Sequence, residues 1–249
     1  MPALDSLDSL DSLDSLDPRA LIFDVFGTCV DWRGSIIAEG PSLDARWGTA
    51  TDWAKLADAW RARYQPSLEE VRSGRRPWTI LDVLHRESLD ALLPSFGLDK
   101  LDGAARDHLN RIWHRLRPWP DTVAGLTRLK RRFILGPLSN GNFALLTNMA
   151  KHAGLPWDVN LSVELYHAYK PLPASYLGAA GLLGLPPRQV MMVAAHYGDL
   201  QSAAACGLRT AYVHRPREFG DRPPNDLPPN PRVDLVAKDF EDLATQLGC

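Results

Sequence analysis

Four apolar residues, Ala20-Leu21-Ile22-Phe23, run straight into Asp24, and Gly27 and Thr28 follow within four positions. An unbroken apolar run closed by a turn signal predicts a strand buried on both faces, the kind parallel sheets use. Residues 133–138 and 190–194 share that texture and end at Ser139-Asn140 and Ala195-His196. Shorter apolar runs at 159–163, 210–213 and 233–235 predict further strands. Between the runs, apolar positions fall three and four apart. They predict helices over 122–130, 143–153, 173–183, 200–206 and 240–247, with Gly154, Gly184 and Gly207 as stop signals. Strands alternating with helices imply a parallel sheet with right-handed crossovers.

Two stretches break that rhythm. Residues 4–17 repeat Leu-Asp-Ser four times before Leu-Asp-Pro, an acidic low-complexity run that predicts disorder. From Asp31 to Pro118 the chain carries long amphipathic segments rich in Trp. Leu56, Trp60 and Tyr64 lie four apart, as do Leu81 and His85, and Leu89 and Leu93; Leu109, Ile112, Trp113 and Leu116 share one stripe. We expect an inserted helical domain of about four helices, with its tryptophans in the core rather than on a ligand. The division expected is a tail over 1–17, an α/β core over 18–31 and 118–249, and a helical cap over 32–117. Residues 215–232, rich in Pro and polar side chains, predict a loop.

Composition narrows the function classes. The 249 residues are 45% hydrophobic and 23% charged, with a net charge of −2, which argues for neither nucleic acid nor an anionic membrane surface as partner. No apolar run approaches the ~20 residues of a membrane span, and the first residues lack the pattern of a signal peptide. Cys29, Cys206 and Cys249 are odd in number and in no metal-ligand spacing, so free thiols in a reducing cytoplasm are expected.

Polar clusters then stand at three strand ends: Asp24 to Thr28, Ser139-Asn140, and His196 to Asp199. Lys170, followed by Pro171, lies between the second and third. In an open α/β sheet such ends converge on one crevice. Taken alone, Asp24 reads equally as the cap of a turn. A lone histidine such as His196 is usually structural, but its place two residues past a strand and three before Asp199 opens a role at the site. It could position water, act as a base, or shape a ligand cradle. Lys130-Arg131-Arg132 reads as a solvated helix end, and His108 and His114, six apart, do not share a helical face as metal ligands. Arg33 near Asp31 suggests a surface pair, and Arg215 and Arg217 could reach the pocket mouth.

These motifs, in this order, resemble the four motifs of the haloacid dehalogenase superfamily: strand-Asp-x-x-Gly-Thr, a strand-terminal serine, a lysine before proline, and a strand leading to Gly-Asp. The resemblance covers residues 20–215, with the helical insertion where that family places its cap. It implies a Rossmann-like parallel-sheet core. Trp60-Arg61 and Ser139-Asn140 further resemble the L-2-haloacid dehalogenase (type II) subfamily. Position 26 is Phe, where most phosphatases of the superfamily carry an aspartate that protonates the leaving alcohol; a halide leaves as an anion and needs no such donor. The type II pattern instead has Tyr at 26, and Ser and Asn where this chain has Ala194 and His196.

The resemblance implies a hydrolase of carbon–halide bonds, of the (S)-2-haloacid dehalogenase type, acting on short 2-haloalkanoic acids through an ester on Asp24. Arg61 and Asn140 would hold the halogen against an aromatic wall. Ser139, with backbone amides near Val25 and Phe26, would hold the substrate carboxylate. Thr28 would fix the Asp24 loop, Lys170 would pair with Asp24, Tyr176 would support Lys170, and Asp199 would orient Lys170 or water. No metal or cofactor is implied, and a homodimer is compatible. The rival readings are a Mg²⁺-dependent phosphatase of a small metabolite, and a non-catalytic binding protein on the same fold.

Overall fold

A computed structural model describes residues 18–222 and 227–249; the Leu-Asp-Ser repeat lies outside the described residues. Strand β1 (Ala20–Phe23) has all four side chains withdrawn from solvent. Burying an apolar side chain of this size contributes about 1.5–3 kcal/mol, and a strand apolar on both faces gains most from a central position. The chain next makes the short strand β2 (Val30–Asp31). It enters five helices: α1 (Trp32–Trp47), α2 (Trp53–Ala62), α3 (Tyr64–Arg72), α4 (Leu81–Leu92) and α5 (Gly103–Asn110). Strand β3 (Arg117–Pro118) then pairs antiparallel with β2, so a two-stranded ribbon closes the neck of the insertion.

Five helices replace the four or so expected. Helix α1 has little amphipathic character for periodicity to detect, and its start is set by Asp31, whose side chain accepts the Gly34 N–H at 2.7 Å. Helices α2 and α3 are separated by Arg63 alone. The tryptophans of the insertion build its core. Trp32, Trp60 and Trp113 are fully buried, with Trp60 edge-on to Trp113 at 5.4 Å. Arg33 pairs with Asp58 at 2.8 Å rather than with Asp31, whose carboxylate is occupied as the cap.

Beyond the neck the chain forms α6 (Thr122–Leu129), β4 (Ile134–Pro137), α7 (Phe143–Ala153), α8 (Pro173–Leu182), β5 (Val190–Ala194), α9 (Tyr197–Ala205), β6 (Arg209–Val213), β7 (Leu235–Ala237) and α10 (Phe240–Gln246). The five long strands make a sheet in the order β4-β1-β5-β6-β7, every neighbour parallel. The strand expected over 159–163 does not form. The chain meets this edge of β4 at Leu135: the Asp158 carboxylate takes the Leu135 N–H at 2.9 Å, and the Asp158 and Val159 N–H groups share Leu135 O at 2.8 and 3.4 Å. No ladder extends into 159–163, and Val163 begins a 3₁₀ turn. The last strand lies two residues later than expected. Asp234 caps its start by accepting the Thr210 N–H at 2.7 Å. Among the described residues no helix is long and apolar enough to cross a membrane.

Candidate active site

The parallel register brings the carboxyl ends of β1, β4 and β5 to one edge. At the end of β1 the Asp24 N–H still bonds to Val193 O at 3.0 Å, and the chain then turns sharply. Val25 O accepts from the Cys29 and Val30 N–H groups at 2.9 and 3.2 Å. Gly27 holds φ +86°, and a Cβ there would run into the Glu218 carboxylate, so only glycine fits the turn. This turn presents Asp24, 7% exposed, at the floor of a cavity of about 580 Å³.

Three side chains grip the Asp24 carboxylate. Lys170 Nζ donates to Oδ1 at 2.9 Å, while Oδ2 accepts from Thr28 Oγ1 at 2.8 Å and from His196 Nδ1 at 3.0 Å. Burial by itself would raise this carboxyl, but the Lys170 ammonium and the His196 ring outweigh it and hold Asp24 far below the usual carboxylate range. Lys170 donates also to Asp199 Oδ2, and Tyr176 O–H donates to Asp199 Oδ1 at 2.6 Å. Against the cost of burial, Asp199 and Asp24 keep Lys170 firmly protonated.

His196 has a partner that the sequence reading did not foresee. Its Nε2 lies 3.1 and 3.0 Å from the two Glu218 oxygens. Burial alone would lower the ring, but Glu218 and Asp24, one at each nitrogen, raise it to about 10. At neutral pH His196 is therefore an imidazolium donating at both ends, which removes the option of a resting-state base. Glu218 is 3% exposed and also accepts the Trp32 Nε1–H at 3.2 Å. It sits in the Pro-rich stretch expected to be a plain loop, with no periodicity or motif around it to mark it.

The roof comes from the helical insertion. Arg61 on α2 lies 4.4 Å over the Tyr64 ring and 5.5 Å from the Trp32 ring, and its Nη1 is buried without a hydrogen-bond partner among the described residues. Asn140 Nδ2 donates to Tyr64 Oη at 3.0 Å, and Asn140 Oδ1 takes the Lys170 N–H at 2.9 Å. Phe26 completes this wall, edge-on to Trp113 at 5.7 Å. Asp24, Phe26, Arg61, Asn140, Lys170, Tyr176, His196 and Asp199 all line the cavity. Tyr64, Arg72 and Phe219 line it too, although sequence reasoning had placed Tyr64 only in a core stripe and did not single out the other two.

Several candidate residues lie elsewhere. Ser139 is wholly buried and its Oγ accepts the Gly141 N–H at 3.4 Å; neither it nor Val25 is on the cavity lining. Arg215 turns inward to Asp121 at 2.8 Å, and Arg217 is exposed away from the lining. His114 bonds Asp82 at 2.9 Å rather than a site shared with His108. The donor set also bears on a divalent cation between Asp24 and Asp199. The Lys170 ammonium already spans that gap, and Thr28, His196 and Tyr176 hold the remaining oxygens, so the residues present do not fit Mg²⁺.

A family model described as haloacid dehalogenase-like hydrolase matches residues 18–207. The fold superposes on the crystal structure of a defluorinating L-2-haloacid dehalogenase with TM-score 0.90 and 48% identity, covering 93% of this chain and 96% of that one. A second L-2-haloacid dehalogenase structure matches with TM-score 0.89 and 50% identity, over 92% of this chain and 98% of the other. The (S)-2-haloacid dehalogenase 4A of Burkholderia cepacia is 29% identical over 200 residues, 79% of this chain and 83% of its own length.

Proposed function

The chain belongs to the haloacid dehalogenase-like hydrolases and to their L-2-haloacid dehalogenase branch, and on that premise we propose that it hydrolyses short 2-haloalkanoic acids to hydroxy acid and halide. The observation that carries this reading is a buried, ionised Asp24 sharing one cavity with a cationic Arg61 whose Nη1 has no partner among the described residues, with Phe26 where a proton donor would serve a phosphoester.

Asp24 is proposed to displace halide from C2, because a carboxylate held ionised by Lys170 is a ready nucleophile at any working pH. The charge that develops on the departing halide falls to Arg61 and Asn140, backed by Tyr64 and Phe26. Pre-placed donors lower such a barrier most when water is excluded. The substrate carboxylate is assigned, as the family resemblance implies, to Ser139 and the Val25 and Phe26 amides, neighbours in the chain of Asn140 and Asp24. Tyr176 and Asp199 hold Lys170. Residues 32–117 act as the cap over a core of 18–31 and 118–249. Arg72 Nη1, donating to Lys170 O at 2.8 Å, supports a cap that grips the floor. The proposal includes no cofactor and a cytoplasmic setting.

The test is halide release from chloro-, bromo- and fluoroacetate and from both 2-chloropropionate enantiomers, with EDTA and with Mg²⁺. Release that EDTA does not affect and that the Asp24→Ala variant lacks is expected. Silence on all of these substrates, with Mg²⁺-dependent phosphate release from a phosphoester panel, would establish the phosphatase instead.

A further inference from the structure

The two oxygens of Asp24 are held differently. Oδ1 faces the Lys170 ammonium, whereas Oδ2 accepts from Thr28 Oγ1 and His196 Nδ1 at 2.8 and 3.0 Å. The direction of each bond to Oδ2 is set by the next group outward. The Ala195 N–H donates to Thr28 Oγ1 at 3.0 Å, which uses a lone pair and leaves the hydroxyl proton for Asp24. Glu218 receives His196 Nε2, so the ring must carry a proton on each nitrogen to satisfy both neighbours. Glu218 itself is pinned by the Trp32 indole and by the close approach of Gly27. Two donors, one of them cationic, are therefore aimed at a single oxygen by groups behind them.

We infer that Thr28 and His196 form the oxyanion hole for hydrolysis of the Asp24 ester, with Glu218 as the positioning residue that keeps His196 aimed and doubly protonated. This rests on the dehalogenase reading above. In the first step a lone pair on Oδ1 forms the bond to C2 while the carbon–halogen pair leaves with the halide, and Oδ2 becomes the ester carbonyl. Water then adds to Cγ, its proton passing to the Asp199 carboxylate. The displaced π electrons settle on Oδ2, where Thr28 and His196 already point. Collapse breaks Cγ–Oδ1, and the departing alkoxide takes the proton from Asp199. The acid left on Asp24 loses its proton to solvent. The sum is haloacid plus water to hydroxy acid, halide and one proton. His196 gives up no proton in this scheme, so it acts as a fixed charge.

The assignment separates the two half-reactions, and that makes it testable. Rapid-quench halide measurement and intact-protein mass spectrometry would follow bromoacetate with wild type, His196→Gln and Glu218→Gln. Each variant would first be checked for native near-UV circular dichroism. The first equivalent of halide is expected at a rate within about tenfold of wild type, while turnover falls about 10²–10³-fold and the carboxymethyl ester on Asp24 accumulates. In Glu218→Gln the loss of turnover at high pH should also move to lower pH, which a purely structural role would not cause. The charged groups that set that limb are Asp24 after β1 and Glu218 after β6, with Lys170 and Asp199 one step beyond. Burst and turnover falling together without ester, or variants that turn over like wild type, would overturn the inference. If His196→Gln does not fold, the Glu218→Gln result decides alone. A wild type that neither releases halide nor forms ester would instead refute the dehalogenase reading, and the oxyanion hole with it.

Discussion

At the floor of the cavity the charges meet opposites: Lys170 lies between Asp24 and Asp199, and His196 between Asp24 and Glu218. In the roof and the insertion core behind it, by contrast, Arg61 Nη1, both ring nitrogens of His85 and Trp113 Nε1 are buried with no hydrogen-bond partner among the described residues. An unmet buried polar group costs about 1–3 kcal/mol, so the roof carries a penalty that the floor avoids. The difference follows from what each must do. The floor must hold a nucleophile ionised and motionless before substrate arrives. The roof must keep donor capacity in reserve for an anion that exists only once the bond begins to break.

The largest effects should come from breaking the floor. Asp24→Asn should abolish halide release, since the other carboxylate on the lining, Asp199, has both oxygens held by Lys170 and Tyr176. Lys170→Met leaves two buried carboxylates without their shared cation, so turnover should collapse. Stability should drop by about 3–5 kcal/mol in urea unfolding, the usual cost of stripping one member from a buried ion pair. The roof should answer in the opposite sense. Arg61→Met should lower kcat/KM for chloroacetate about 10²–10³-fold, while unfolding free energy stays level or rises by about 1 kcal/mol, because an unsatisfied donor is gone. A parallel loss of stability would show that Arg61 belongs to the packing and not to the anion.

A smaller effect sharpens the contrast through pH. His196 holds its proton to about 10 in the fold, against 6.5 for an ordinary histidine. Its ion pairs therefore contribute in full below pH 6.5, and their contribution is lost as pH rises through about 10. Turnover and thermal stability should fall together over that limb. Asp24, depressed far below its usual range, should impose no acid limb above the pH at which the protein unfolds. The smallest effect is expected at His85. Burial holds it neutral, down to about 3, and it stacks on Trp113 at 4.3 Å. His85→Leu should raise stability by about 1 kcal/mol with halide release near wild type. A large loss of rate would mean that His85 receives a bond from the substrate.

Much of the floor was legible because it depends on local pattern. The apolar run of β1 ends at Asp24, β4 leads to Asn140 and β5 to His196, and parallel strands must put those ends on one edge. Lys170 and Asp199 followed from the order of the motifs, and Tyr176 from the family resemblance. The insertion was visible as helix because Leu56, Trp60 and Tyr64 lie four apart, and they are buried together. The misses share a cause. Residues 159–163 have the composition of a strand, but the chain bonds this β4 edge at Leu135, whose N–H goes to the Asp158 side chain, and no ladder extends beyond it. Helix α1 follows its cap and not a stripe.

What the amino-acid order determined alone was therefore the sheet, the inserted helices and the strand-end residues, since hydrophobic periodicity and turn chemistry act over a few positions. Only the tertiary structure decided that Glu218, 22 residues beyond His196 in a Pro-rich loop, would return to the ring nitrogen at 3.0 Å. It also decided that Arg61 would line the same cavity as Asp24, with Nη1 unpaired among the described residues. A carboxylate's partner and a guanidinium's lack of one depend on distance and burial in three dimensions, and neither leaves a period along the chain.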